Sequence, residues 1–270
     1  MIDKSTYYVG YPKYFLTLQK LRSIEVNAAF LVPYLQDNIS LLDCGCGLGS
    51  ITLGFAGLLK NSKIVGVDTE QSLLDMGITE AKHRGITNAH FQLGNILKLP
   101  FPDNYFDIVF EHSLLLHLSE YKDIGIKEML RVLKPGGIIA VREIDFDTLI
   151  FFPYNEILKK ALDFRLKMFL DNGVDYHMGR KLRYLFNKAK VEYTYFTASS
   201  VIVDNDKSLS FAGNYFASEL RDLIFIEQMI KDGKISSTEI AIYQNEWRKF
   251  PETQGAFMQY TWSEAVGYKR

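Results

Sequence analysis

Between Ser40 and Ile144, short apolar and β-branched runs (SLLDC, KIVGV, AHFQL, DIVFE and GIIAVREI) alternate with longer stretches of helical periodicity. That rhythm leaves few folds open. Strands separated by helix-length crossovers pair in parallel, and a parallel sheet is covered by helices on both faces. The spacing predicts one crossover helix from about Glu70 to Arg84 and another from about Ser119 to Leu133. Lys134-Pro135-Gly136-Gly137 ends the second, because proline cannot continue a helix and glycine accepts the turn. After Ile144 the rhythm changes. Residues 153–189 read as mainly helical, VEYTYFTASSVIV as a strand, residues 206–249 as helical again, and AFMQYTWSEAVGY as a final strand. With no internal repeat and no low-complexity linker, the chain reads as one domain with helical additions.

Inside the first alternation lies LLDCGCGLGSITLGFAG, which packs Gly45, Gly47 and Gly49 into five residues between a strand and a helix. Bare backbone there lets a ligand approach, and the following helix offers free N–H groups and a positive dipole end. Parallel sheets bind ligands beyond the carboxyl ends of their strands. The next strand, KIVGVD, brings Asp68 to that same edge, where a carboxylate can accept both hydroxyl protons of a ribose. The dinucleotide fingerprint G-x-G-x-x-G is not completed, because Ser50 stands at its third glycine. Cys44 and Cys46 are too few for zinc and read as small buried residues, so no metal site is expected.

Composition narrows the class. The formal net charge of -1 carries no electrostatic footprint for a nucleic acid. Runs such as GGIIAV and TLIFF are too short for a membrane span, and MIDKSTYYVG lacks the apolar segment of a signal peptide. Two cysteines one residue apart build no disulfide framework. The expectation is a soluble, cytoplasmic protein without membrane insertion, monomeric or homodimeric.

The pattern D-x-G-x-G-x-G starting at Asp43 resembles the class I S-adenosylmethionine-dependent methyltransferases. The resemblance continues through GVDTEQSLLDM, GNILKLPFPDNYFDIVFEHSLLLHL and EMLRVLKPGGIIAVREIDF. It is nearest to the ubiquinone/menaquinone-type enzymes and their stand-alone small-molecule relatives. It is strong over about residues 40–146 and weaker for RSIEVNAAFLVPYL, GRKLRYLF and the final strand. It implies a Rossmann-like seven-stranded α/β sheet with helices on both faces and the last strand antiparallel. Residues 1–35 would form a helical lid, 36–145 the cofactor core, 146–190 and 206–250 a helical substrate cap, and about 255–267 the last strand.

The resemblance also implies roles. Gly45, Cys46, Gly47 and Gly49 would pass under the methionine and ribose of the cofactor. Asp68 would hold the ribose hydroxyls, with Thr69 beside the adenine. Asn95 stands where the family commonly has an aspartate for the adenine amino group, and its side-chain oxygen can still accept that hydrogen bond. Ile96 would stack on the adenine, and Glu111 would offer its backbone carbonyl to the ammonium group. Arg22 would pair with the carboxylate, while Tyr11 and Tyr14 would close over it.

A sulfonium methyl group is already activated, so placing the acceptor in line in a dry pocket supplies most of the acceleration. A base is needed only where the acceptor must lose a proton. Candidates at the carboxyl edge are His112, His117 and Asp145, with Glu143 on the same strand face as Asp145. His117 fits packing or capping as well as catalysis, and a histidine titrates in the useful range. The aromatics Phe151, Phe152, Phe164, Phe169, Phe211, Tyr215 and Phe216 suit a core and a small apolar or aromatic acceptor. Two other readings stay open: a dinucleotide-dependent oxidoreductase, and a non-catalytic cofactor-binding protein of the same fold.

Overall fold

The computed structural model describes residues 13–222 and 226–270; Tyr11 and the rest of the expected lid over residues 1–12 lie outside them. The strands are β1 (Ser40–Cys44), β2 (Lys63–Asp68), β3 (Ala89–Leu93), β4 (Phe106–His112), β5 (Leu133–Phe152), β6 (Glu192–Val203) and β7 (Phe257–Tyr268). They form one seven-stranded sheet in the order β3-β2-β1-β4-β5-β7-β6. The strands from β3 to β5 run parallel, and the last strand is antiparallel. Strand order reverses between β1 and β4, which opens a crevice at their carboxyl ends.

The helices are α1 (Lys13–Lys20), α2 (Ile24–Asn27), α3 (Ser50–Leu58), α4 (Gln71–His83) and α5 (Lys122–Val132), then α6 (Glu156–Asp171), α7 (Leu182–Lys188), α8 (Asp206–Asp222), α9 (Ile226–Lys231) and α10 (Ser237–Lys249). The helix expected from Glu70 to Arg84 is α4, with Glu70 as its cap accepting the N–H of Ser72. The helix expected from Ser119 starts later. Residues Leu115–His117 and Ser119–Tyr121 form 3-10 turns, and α5 begins only at Lys122. Ser119 takes a positive φ of 48°, which interrupts the α path there.

The fifth strand is also longer than its first apolar run. It continues past Ile144 to Phe152, because DFDTLIFF holds β-forming residues and no turn signal before Pro153.

The chain divides into two compact units. One comprises Leu18–Ile144, His177–Ser199 and Trp262–Arg270. Its core joins Ile24, Ala28, Phe30 and Leu31 to Phe55 of α3 and to Leu41, Ile64 and Phe110 of the sheet. Among the described residues, the other comprises Lys13–Thr17, Asp145–Tyr176 and Ser200–Thr261. At its centre, Arg165 of α6 is fully buried and ion-paired with buried Glu219 of α8. The guanidinium carbon lies 4.6–4.7 Å from the ring centres of Phe146, Phe169 and Tyr176 and 5.3 Å from Phe216. Phe216 stacks on the buried Trp247 of α10 at 4.4 Å.

Where α8 meets α10, Gly213 makes close packing possible. A β-carbon there would stand 2.4 Å from the Trp247 carbonyl oxygen and 2.9 Å from Pro251. Alanine in an open helix interior gains about 0.5–1 kcal/mol over glycine. Here the backbone must part instead, so Gly213→Ala is expected to cost about 1–3 kcal/mol in urea unfolding. A stabilised variant would refute the close contact.

Candidate functional site

The glycine loop is strapped to the end of β2. The N–H groups of Gly45 and Cys46 both donate to the Val67 carbonyl, at 2.8 and 3.0 Å. Asp68, the last residue of β2, accepts the Gly47 N–H on Oδ2 at 2.8 Å and the Glu70 N–H on Oδ1 at 3.1 Å. Burial raises the Asp68 pKa, and these backbone donors hold it back. A carboxylate has about four acceptor sites, so Asp68 retains acceptor capacity beyond these donors.

The glycines do not face empty space. A β-carbon at Gly45 would meet Leu114 at 2.9 Å, at Gly47 the Gln19 Oε1 at 2.3 Å, and at Gly49 the Phe91 ring at 2.4 Å. The bare backbone thus admits protein side chains as well as any ligand. The same Gln19 oxygen accepts the N–H of Leu48 at 3.3 Å, so α1 grips the loop by its side chain.

A small pocket opens at the switch point, lined by Gln19, Arg22, Asp43, Gly45, Ser50 and His112 among others. It presents both signs of charge and the start of α3. Asp43 is buried, and its Oδ2 accepts the Thr52 hydroxyl at 2.6 Å. Burial pushes the Asp43 carboxyl up to about 7, against the pull of the Thr52 hydroxyl and the Arg22 charge.

His112 Nε2 takes a hydrogen bond from the Asn27 side-chain amide at 3.2 Å, which leaves the ring proton on Nδ1. Its ring packs 4.7 Å from that of Trp262. Burial first, then the Arg22 and Arg142 charges, hold His112 well below the usual histidine range. His117 sits in the 3-10 turn Leu115–His117. Burial and then Arg22 push it down to about 3. Both rings are neutral near pH 7 and, as they stand, are weak bases.

The structure therefore brings together Arg22, Gly45, Cys46, His112 and, through Asp68, Gly47. Thr69 is exposed just after β2. After β3, Asn95 turns its Oδ1 onto the Leu97 N–H at 2.8 Å, leaving one lone pair, and Ile96 is buried. The Glu111 carboxyl is wholly buried at the end of β4. Tyr14 and Asp145 belong to the other unit, where the Tyr14 ring meets Tyr215 edge-on at 5.3 Å. Asp43 is part of the motif and was open to recognition as a pocket residue from sequence. Gln19 and Leu114 gave no signal, because only tertiary packing brings them to the loop.

The residues fit a zwitterionic ligand carrying a ribose. A guanidinium, a buried carboxyl and a helix N-terminus share one pocket, and a strand-end carboxylate keeps spare acceptor sites beside the loop.

Residues 35–190 match the family described as "Methyltransferase domain". The chain is 34% identical over 190 residues to an uncharacterized methyltransferase of Schizosaccharomyces pombe, covering 67% of this chain and 66% of that one. It is 35% identical over 146 residues to the ubiquinone/menaquinone biosynthesis C-methyltransferase UbiE of Shewanella frigidimarina, covering 53% of each. The chain thus spans between about half and two thirds of these relatives' own lengths. In fold it is similar to the YcgJ protein of Bacillus subtilis, with a TM-score of 0.59 at 19% identity, covering 90% of this chain and 97% of that one.

Proposed function

The chain belongs to the S-adenosylmethionine-dependent methyltransferase family, and we propose that it methylates a small apolar or aromatic molecule by in-line displacement. The observation that carries this reading is the switch-point pocket, whose lining includes both Arg22 and Asp43 beside the glycine loop. In this reading Arg22 receives the carboxylate, and Asp43 with the Glu111 backbone carbonyl receives the ammonium group. Asp68 takes the ribose hydroxyls, while Thr69, Asn95 and Ile96 border the adenine. Once bound, the sulfonium supplies an already activated methyl group. What this chain contributes is orientation and exclusion of water.

Two observations support the acceptor class. The similar UbiE enzyme is a C-methyltransferase of quinone biosynthesis by name. The helical unit is rich in aromatic side chains, among them Phe146, Phe164, Phe216 and Trp247. We assign acceptor selection to that unit, and proton removal, where an acceptor needs it, to His112, His117 or Asp145. His112 and His117 are depressed bases in the ligand-free protein, which favours acceptors that lose their proton readily. The reading extends to a cytoplasmic enzyme, supported by cysteines that stay as free thiols. Among the described residues, no helix is long and apolar enough to cross a membrane.

The test is methyl transfer from labelled S-adenosylmethionine to a panel of phenols, quinols and amines. Label on phenolic or quinol acceptors supports the reading. Transfer to amines alone, or none despite tight binding of S-adenosylhomocysteine, rejects it.

Asp68→Ala tests the ribose contact. Losing a charged hydrogen-bond acceptor costs about 1.5–3 kcal/mol, or roughly tenfold to a hundredfold in affinity. Calorimetry with S-adenosylhomocysteine should show that loss while the far-ultraviolet spectrum stays unchanged. An unaltered affinity removes Asp68 from the site.

A further inference from the structure

Glu111 and Glu143 are both wholly buried and neither has a basic partner among the described residues. Glu111, next to last in β4, is level with Val141 of β5, so Glu143, two residues on, projects from the same sheet face. Glu111 Oε2 accepts the Leu114 N–H at 3.1 Å, and Glu143 Oε1 accepts the Leu116 N–H at 3.2 Å. Each carboxyl keeps one further buried oxygen without a backbone or cationic donor, Glu111 Oε1 and Glu143 Oε2. Glu143 stands close enough to Glu111 for its charge to act on it. Two carboxyls buried side by side with no cation beside them retain a proton, because two desolvated like charges cost too much.

We propose that Glu111 and Glu143 share one proton as an acid–carboxylate pair, and that this pair positions the turn over residues 113–118 so that Leu114 stays packed against Gly45. The inference rests on the cofactor reading above, because Gly45 lines the pocket. When the proton leaves to solvent, two like charges face each other in a dry site and the turn loses its anchors. Cofactor affinity then falls at alkaline pH.

The surroundings agree. The Cys44 thiol of β1 is the titratable group beside Glu111, and the burial of both keeps its proton on. His112 and Arg142, next in sequence to the pair, point to the opposite sheet face, where Arg142 pairs with Glu264. Asp145 is the next residue of β5 on the Glu143 face. Burial, then the facing carboxylate, raises Glu111 well above the usual carboxyl range. Burial raises Glu143 to about 8. Both values lie above those of the unfolded chain. The stabilisation is therefore complete below the ordinary carboxyl range and is lost as pH rises from there to about 8 for Glu143, the loss being complete above it.

The experiment compares the wild type with E111Q/E143Q, in which paired amides keep the hydrogen bonds and carry no titratable proton. Infrared difference spectra of the ligand-free wild type should show a buried protonated carboxyl at neutral pH, vanishing on alkaline titration and absent from E111Q/E143Q. S-adenosylhomocysteine affinity of the wild type should fall by about tenfold per pH unit above the transition, as loss of one proton requires. The double variant should give a flat profile. Without ligand, the thermal stability of the wild type should fall as pH rises from the ordinary carboxyl range to about 8 while that of the double variant does not, so a failure of the cofactor reading leaves the pair itself tested. No protonated carboxyl, or an alkaline fall in affinity that the double variant shares, overturns the proposal.

Discussion

Arg165→Met should cost about 3–5 kcal/mol in chemical unfolding, because it strands a buried carboxylate. Glu219 is 1% exposed and takes two hydrogen bonds from the Arg165 guanidinium, through Nε and Nη2. After the substitution, its remaining partner is the Tyr215 hydroxyl, which donates to Oε1 at 2.8 Å. Methionine fills much of the volume, so the loss isolates the charge rather than a cavity. Four rings that surround the guanidinium also lose a cation to rest against. Combining the change with Glu219→Gln should recover most of the stability, since the orphaned charge is then gone. A single-variant cost below about 1 kcal/mol would show that the pair contributes little against its desolvation.

Gly47→Val should reduce S-adenosylhomocysteine affinity by more than about a hundredfold, or over about 2.7 kcal/mol. Gly47 has a φ of 56°, a left-handed conformation that costs an ordinary residue about 1–2 kcal/mol and a β-branched one more. Its β-carbon would also collide with the Gln19 amide, itself buried and bonded to Leu48. Either the loop or α1 must shift, and both line the pocket. The Gly47 N–H that steadies Asp68 moves with them. Calorimetry decides the matter, and wild-type affinity in this variant would mean that the loop serves only as a turn.

Strands β1 to β4 were legible because each is a short run bounded by turn residues, and the glycine loop because its chemistry is local. The tail of β5 was less so. Asp145 and Asp147 look like the polar start of a loop, yet they pair within a sheet that extends past them. The 3-10 turns ahead of α5 were hidden for a different reason. Leu114–Leu118 is as apolar as a helix start, and its path is set by the Leu114 N–H binding the nearby Glu111 and the Leu116 N–H binding the distant Glu143. The state of His112 and His117 was not legible either. A histidine in sequence carries an ordinary pKa, and only burial beside Arg22 makes these two neutral.

Each loop glycine is matched to one intruding side chain from another element: Gly45 to Leu114, Gly47 to Gln19 and Gly49 to Phe91. Six positions scattered from α1 to the turn after β4 are therefore sterically coupled in pairs. A lineage that exchanged Gly49 for alanine would have to shrink Phe91 in the same step or tolerate a loosened loop in between. Such coupled steps are rare, so among descendants of this chain the three partners should drift little, and together. An engineer reshaping the loop would do well to randomise glycine and partner as pairs, never singly.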